Sequence, residues 1–254
     1  MRILVTFAVE AEFAPWRKLR NLEPSTISGF RIHKAEIGRA QVDFVVTGMG
    51  VDNAYRITDA VMTEPYQFCI TSGFAGSLKE AHAIGDILAA DAVQLLGSSK
   101  THTCSRNLVF AARQDGAAEV SLFLTADHVV RTVEEKKQLQ PFADAVEMES
   151  FGVLSAAKVH KVPGVAIRVI SDSATHDLPA VVNTAVDEFG RVSVKGIVRY
   201  IARHPLQLPA LVRLGRDSKT AAEALAHFLE AYIKKLSFFT HGRPPEELRE
   251  VAAR

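Results

Sequence analysis

The chain has 254 residues and a formal net charge of +1, so its charge gives no reason to expect nucleic acid or an acidic surface as a partner. Hydrophobic residues make up 48% of the sequence and charged residues 23%, which is typical of a globular protein with a large core. The two cysteines, Cys69 and Cys104, have no motif spacing, so neither a disulfide framework nor a zinc site is expected. No apolar run predicts a signal peptide or a transmembrane helix, and we expect a cytoplasmic protein.

Short apolar runs rich in β-branched residues alternate with helical patterns along most of the chain. Strands are predicted at residues 2–9, 31–37, 41–48, 67–73, 85–94, 119–124, 143–149 and 165–171, and helices at residues 52–64, 132–139 and 150–162. Asp52 and Asn53 are the expected capping residues of the first of these helices. This alternation predicts an α/β fold: a single three-layer α/β/α domain around a mixed β-sheet.

The segment after His176 has a different character. It is helical in pattern, with interruptions expected at Pro205 and Pro209, and it is rich in arginine. We therefore predict a main domain at residues 1–190 and a helical C-terminal extension at residues 191–254, which ends in a polar tail. The extension packs on the same domain or on a partner subunit, or it contacts a lipid surface.

Several predicted strands end in small or charged residues, and ligands of open α/β sheets bind outside such carboxyl ends. The stretches are AVEAE (8–12), TGMG (47–50), TSGFAGS (71–77), AVEMES (145–150) and IRVISDSA (167–174). Their glycines would let backbone amides approach a ligand, although turn formation or close packing more often explains such glycines. Neither glycine pair matches a P-loop or a dinucleotide-binding fingerprint.

Four charged residues at these strand ends have both a functional and a structural interpretation. Asp172 follows a buried run, where it is either a general acid or the N-cap of a helix. Glu149 belongs to a site or simply places negative charge near a helix N-terminus, and Glu12 has the alternative of a first-turn helix charge. Arg168 lies inside an apolar strand and needs a partner if it is buried, which Glu147 or Glu149 would supply.

Other reactive side chains give no pattern of a site. His102, His128 and His176 lack metal-ligand spacing, so no metal is expected. Thr71 has no adjacent base, and no nucleophile-elbow motif surrounds Ser72, so catalysis by a hydroxyl nucleophile is not predicted.

The order of the motifs is more specific than any one of them. AVEAE, TGMGVDNA, TSGFAGSL, AVEMES and IRVISDSA resemble the nucleoside phosphorylase and nucleosidase family, and most of all its methylthioadenosine/S-adenosylhomocysteine nucleosidase branch. The resemblance covers residues 1–175. It implies a homodimer or higher homo-oligomer that binds a small-molecule nucleoside and cleaves its N-ribosidic bond. No cofactor is implied, apart from phosphate as cosubstrate in a phosphorylase.

The same resemblance implies a role for individual residues. Asp172 would protonate the departing purine, and Glu12 would activate water. Glu149 would bind the ribose hydroxyls, Met148 would line the ribose, and Arg168 would support the acidic residues. The other residues expected around the substrate are Gly48, Gly50, Phe74, Ala75, Gly76, Glu147, Val129 and Ser171.

Hydrolysis is the expected reaction because CITSG lacks the arginine that phosphorylases place before this glycine-rich strand end, and because Glu12 is present. Phosphorolysis is the alternative, with phosphate bound near Arg39 and the 48–50 loop. Two positions depart from the nucleosidases: Phe74 replaces a serine, and Val129 replaces a phenylalanine that stacks on the base. A nucleoside-binding protein without catalysis is therefore a further alternative.

The C-terminal segment resembles a different branch, the hopanoid-associated phosphorylases. The similar stretches are LPAVVNTAVDEFGRV and ARHPLQLPALVRLGRDSKTAAEAL, and SGFAGSL also fits this branch. This resemblance implies adenosyl-hopane as a candidate substrate, beside methylthioadenosine and S-adenosylhomocysteine.

Overall fold

The apolar runs of the sequence form the strands of one sheet in the computed structural model, which describes residues 1–183 and 203–238. The described strands are β1 (Arg2–Phe7), β2 (Glu23–Ile27), β3 (Phe30–Ile37), β4 (Ala40–Val46), β5 (Phe68–Ser77), β6 (Ile87–Leu95), β7 (Thr101–Thr103), β8 (Ala118–Thr125), β9 (Ala145–Glu147) and β10 (Gly164–Asp172). The described α-helices are α1 (Glu10–Leu19), α2 (Val51–Val61), α3 (Arg106–Gln114), α4 (Val133–Leu139), α5 (Ser150–Val159) and α6 (Leu208–Leu236). Short 3-10 helices lie at Ala180–Asn183 and Pro205–Gln207.

The sheet is mixed, as predicted. β1 lies between β4 and β5 and is parallel to both, whereas β2, β3 and β4 form an antiparallel meander at one edge. At the other side the sheet curls, because β5 pairs with both β9 and β10. β10 pairs with β6, β6 with β8 and β8 with β9, so five strands close into a ring. Periodicity reports which residues are strands but not which strands pair, so this closure was not predicted.

Helices cover both faces of the sheet, which gives the three layers of the predicted α/β fold. Alternate residues of β1 point to opposite sides. Val5 packs in the core that includes residues of α1 and α6, and Leu4 packs in the core that includes residues of α2 and α5. The C-terminal half of α6 is part of the first of these cores, where Leu225 and Leu229 are buried.

Two local predictions about the helices are wrong. Asp52 and Asn53 lie inside α2, whose N-cap is Gly50, so they do not cap the helix. Pro209 lies at the start of α6 and does not interrupt it, because a proline in the first turn loses no hydrogen bond.

The boundary between residues 190 and 191 and the polar tail lie outside the described residues. Within the described part of the chain, no helix is long and apolar enough to cross a membrane.

Candidate active site

A cavity of about 280 Å³ lies where β1, β9 and β10 end, next to the glycine-rich part of β5. This is the place where an open α/β sheet binds its ligands. Most of the residues predicted for the site border this cavity: Glu12, Phe74, Ala75, Gly76, Val129, Glu147, Met148, Glu149, Ser171 and Asp172. Arg168, Gly48 and Gly50 do not border it. The cavity thus brings together ten of the thirteen predicted site residues, and the other three do not line it.

Arg168 is fully buried under the acidic end of the cavity. Its Nη2 forms an ion pair with Glu147, lies 3.5 Å from Oε2 of Glu149 and donates to Oγ of Ser150 at 2.9 Å. The parallel pairing of β10 with β5 places Arg168 opposite Gly73. Arg168 is thus the cation around which the carboxylates of the site gather, as the sequence indicated.

Glu147 is the main partner of Arg168. One carboxylate oxygen accepts from the hydroxyl of Thr125, and the other accepts from Arg168 and from the backbone amides of Glu149 (2.9 Å) and Ser150 (2.7 Å). These amides belong to the first turn of α5, where a carboxylate is favoured. Because both oxygens are engaged within the protein, Glu147 fixes Arg168 and the start of α5.

The carboxylate of Glu149 has fewer hydrogen-bond partners within the protein than that of Glu147. Its Oε1 accepts from the amide of Gly50 at 3.0 Å, and its Oε2 faces Arg168. Although Glu149 occupies the N-cap position of α5, its side chain does not cap that helix. Burial raises the pKa of Glu149 to about 8, against the opposing charge of Arg168 and with a further contribution from Glu147. The interpretation of Glu149 as a plain helix-terminus charge is therefore not favoured.

Glu12 joins the first turn of α1 to β5. Its Oε2 accepts from the amides of Ala8 (2.7 Å) and Val9 (3.1 Å), and its Oε1 accepts from the amide of Phe74 at 2.8 Å. Burial raises the pKa of this carboxyl above its usual range, while Arg168 and the three amides act in the opposite direction. Glu12 is thus both a first-turn helix charge and a buried carboxyl on the cavity wall.

Asp172 is the last residue of β10, and no helix begins there, so its interpretation as a helix N-cap is wrong. Its Oδ2 forms a 2.5 Å ion pair with Nζ of Lys136, and its Oδ1 accepts from the hydroxyl of Ser171 at 3.0 Å. A Cβ atom on Gly76 would lie 2.9 Å from Oδ2. The glycine is needed here because β5 passes directly behind this carboxylate.

Lys136 is a neighbour of the site that the sequence reasoning missed. Helix α4 was predicted as a short polar helix, in which nothing distinguished one lysine from the next. The available signal is spacing: Lys136 lies three residues from Val133 and from Leu139, on the less polar face of the helix.

The glycine-rich loop at residues 47–50 contributes less than predicted. Gly48 and Gly50 both have positive φ, which explains the need for glycine, and the amide of Gly50 serves Glu149. Arg39 lies at the opposite end of β4, where its guanidinium stacks over Phe238 at 5.0 Å. Within this chain Arg39 is therefore not part of the site, contrary to its suggested role in phosphate binding.

The rest of the cavity wall is mainly apolar. It consists of Val9, Met49, Val130, Val146, Leu178, Val182 and Leu214, together with Ala8, Ala11, Ser218 and His128. Ala8, Val9, Ala11, Met49 and Val146 belong to the strand-end stretches singled out in the sequence, and the remaining residues had not been predicted for the site. Hydrogen bonds to Glu135 and Asp127 raise the pKa of His128. Among the described residues no cluster of three or more acidic, cysteine or histidine side chains is arranged to hold a metal ion.

Comparison with known proteins places this geometry in a family. The model of the Phosphorylase superfamily matches residues 2–203. The 5′-methylthioadenosine/S-adenosylhomocysteine nucleosidase of Staphylococcus epidermidis is 25% identical over 183 residues, which cover 62% of this chain and 80% of that protein.

Two solved structures are similar in fold. A futalosine hydrolase mutant of Helicobacter pylori has a TM-score of 0.71 at 20% identity, over 92% of this chain and 98% of that one. The S-adenosylhomocysteine nucleosidase of Streptococcus pyogenes, in complex with 5-methylthiotubericidin, has a TM-score of 0.72 at 19% identity, over 93% and 97% of the two chains. Because the family model covers most of the chain, the protein belongs to the Phosphorylase superfamily, and the prediction of an enzyme of the nucleosidase and nucleoside phosphorylase type is confirmed.

Proposed function

We propose that this enzyme hydrolyses the N-glycosidic bond of a 5′-substituted adenosine and releases adenine. The observation that carries the proposal is the convergence of three carboxyl groups, from Glu12, Glu149 and Asp172, on one cavity of about 280 Å³. Such a bond breaks through an oxocarbenium-like transition state, which needs an acid for the leaving group and a base for water on the opposite face. The similarity to nucleosidases supports the same reaction.

Each carboxyl has one task in this reaction. Asp172 donates a proton to N7 of the purine while the electrons of the C1′–N9 bond move to the base. Glu149 accepts hydrogen bonds from the ribose hydroxyls as a carboxylate whose charge faces Arg168, so ribose binding favours loss of the proton that the free enzyme holds up to a pKa of about 8. Glu12 accepts the proton of the water that attacks C1′, a task that suits a buried carboxyl whose pKa burial raises above its usual range.

Hydrolysis is preferred over phosphorolysis because of the charge of the cavity wall. Among the described residues that line the cavity there is no lysine or arginine, whereas a phosphate cosubstrate calls for such donors. Phosphorolysis is the second candidate, since Phe74 stands where nucleosidases have a serine and therefore departs from the hydrolases.

The apolar wall favours an apolar 5′ substituent. Val9, Met49 and Leu214 present hydrocarbon to the cavity, which suits a methylthio group and gives a longer alkyl chain a compatible surface. A hopanyl group is the largest candidate, and the resemblance of the C-terminal segment supports it. Exposed Leu206 and Val212 would suit contact with a lipid surface.

Adenine release from 5′-methylthioadenosine, measured with and without phosphate, tests the proposal. We expect release in phosphate-free buffer, with free 5-methylthioribose as the second product. Release only with phosphate, together with a sugar 1-phosphate, would make the enzyme a phosphorylase. Binding of the nucleoside without release of adenine, from this substrate and from adenosines with longer 5′-alkyl groups, would indicate a non-catalytic binding protein.

A further inference from the structure

Lys136 is a buried cation that the reaction described above does not use. We propose that it is a positioning residue for the general acid, holding the Asp172 carboxyl at the cavity and stabilising the charge that this carboxyl acquires. The inference rests on the proposed function, because it assigns Lys136 a task in the same proton transfer.

The burial of Lys136 is unusual for its helix. Its side chain is 1% exposed, and it is the buried residue of α4, whereas the adjacent Lys137 is exposed. A lysine is rarely buried unless it is paired, because removing an ammonium group from water costs free energy. The burial of the Lys136 ammonium group therefore needs an explanation.

The contacts of Lys136 all involve the end of β10. Its Nζ donates to Oδ2 of Asp172 at 2.5 Å and to the carbonyl oxygen of Ser173 at 2.7 Å. Oδ1 of Asp172 is held by the hydroxyl of Ser171 at 3.0 Å, and Gly76 closes the space behind Oδ2. The carboxyl is thus fixed from both sides while it still borders the cavity, to which Lys136 itself is not exposed.

This arrangement fits the charge change of the reaction. The reaction starts from the form in which the Asp172 carboxyl holds a proton. When the C1′–N9 bond breaks, that proton passes to N7, and the carboxyl becomes the carboxylate that pairs with Lys136 in the structure. An ammonium group already hydrogen-bonded to that carboxyl stabilises the new charge without having to reorient. The simpler alternative is that Lys136 only fastens α4 to β10, in which case its loss would affect every reaction of the enzyme alike.

Two substrates distinguish these roles. Adenine is a leaving group that needs a proton, whereas 4-nitrophenolate leaves as an anion and does not. We therefore compare 5′-methylthioadenosine with 4-nitrophenyl 5-methylthioriboside, using Lys136→Met, Lys136→Gln and, as the control, Lys137→Met. The glutamine variant removes the charge but keeps a hydrogen-bond donor, so it carries the test if the methionine variant does not fold.

We expect the Lys136 variants to lower kcat for 5′-methylthioadenosine about 10- to 100-fold with little change in KM, and to leave the nitrophenyl riboside nearly unaffected. In the Asp172→Asn background, Lys136→Gln should have no further effect on kcat, because the residue acts through Asp172. Equal losses on both substrates, or no loss on either, would overturn the inference while leaving the proposed function intact. An inactive wild-type enzyme with both substrates would overturn the proposed function and the role of Lys136 with it.

Discussion

Three buried carboxyl groups, those of Glu12, Glu147 and Glu149, surround the guanidinium of Arg168. Because one positive charge cannot balance three negative charges in a buried site, not all three carboxyls are favoured as carboxylates. Glu147 is the best paired, with four donors on its two oxygens. Burial raises the pKa of Glu12 above its usual range and that of Glu149 to about 8, so burial favours the protonated form of both groups.

Replacing the general acid should separate binding from turnover. Asp172→Asn keeps the shape of the side chain but cannot donate the proton, so we expect kcat to fall about 10²- to 10⁴-fold with KM nearly unchanged. Steady-state assays of adenine release measure both constants, and Asp59→Asn, at a surface site, is the control. Full activity of the Asp172 variant would show that another group protonates the base.

Glu149 should make the protein less stable as the pH rises. The unfolded chain loses this proton near its ordinary pKa of 4.5, whereas the folded protein keeps it until about 8. Stability is therefore lost between these two values as pH increases. Glu149→Gln removes this loss, so urea unfolding at about pH 8 should show the variant gaining stability relative to the wild type, and the gain should vanish at about pH 4.5. Its activity should fall at both pH values.

Glu147→Gln, unlike Glu149→Gln, should make the protein less stable. Removing the charge that pairs with fully buried Arg168 should cost about 3–5 kcal/mol of unfolding free energy. If Glu147→Gln and Glu149→Gln change stability in the same direction by similar amounts, the distinction between the structural and the substrate-facing carboxyl is wrong.

At the scale of elements, the parallel pairing of β5 and β10 brings Gly73 opposite Arg168. A Cβ atom on Gly73 would lie 2.6 Å from Nη1 of Arg168 and 2.6 Å from Oε1 of Glu12. The two strands can therefore hold Glu12 and Arg168 in these positions only if this residue has no side chain. Gly29, in the turn between β2 and β3, has φ +84° and nothing within 4 Å of its Cβ position.

Alanine at these two glycines should consequently have different effects. Gly29→Ala should cost about 1–2 kcal/mol of stability from backbone strain and leave kcat unchanged. Gly73→Ala carries similar strain but also displaces Glu12 and Arg168, so both stability and adenine release should fall further. Equal effects of the two substitutions on kcat would contradict the packing role of Gly73.

The elements that the sequence predicted are those with long apolar runs or clear helical spacing, such as β1, β10 and α5. The strand β2 was missed because it is a mostly exposed edge strand that contains Pro24, and β7 has only three residues. The motifs located the carboxylates of the site, but they could not show that Lys136 pairs with Asp172. That contact depends on how α4 packs against the end of β10, which no local pattern encodes.

At the scale of the whole molecule, the C-terminal helix α6 connects the cavity to the core. Its first half contributes Leu214 to the cavity wall, and its second half buries Leu229 completely. Leu229→Ala should cost about 2–5 kcal/mol of unfolding free energy, because it leaves a void in the core. Leu206→Ala, at a side chain that is 94% exposed, should change stability by less than about 0.5 kcal/mol. Comparable losses in chemical denaturation would show that α6 does not pack as described.

The oligomer that the family resemblance implies and the identity of the 5′ substituent stay predictions. The central claim, which is the identity of the nucleophile, depends on neither of them. Water, activated by Glu12, attacks the sugar in this account. Glu10 provides a matched control two residues away, since its carboxylate is exposed and pairs with Arg17.

The most direct test is adenine release from 5′-methylthioadenosine in phosphate-free buffer by the wild type, Glu12→Gln and Glu10→Gln. We predict that the wild type and Glu10→Gln release adenine at similar rates, and that Glu12→Gln loses at least about 10²-fold in kcat without recovery on addition of phosphate. Release that requires phosphate, or a fully active Glu12→Gln variant, would contradict the account.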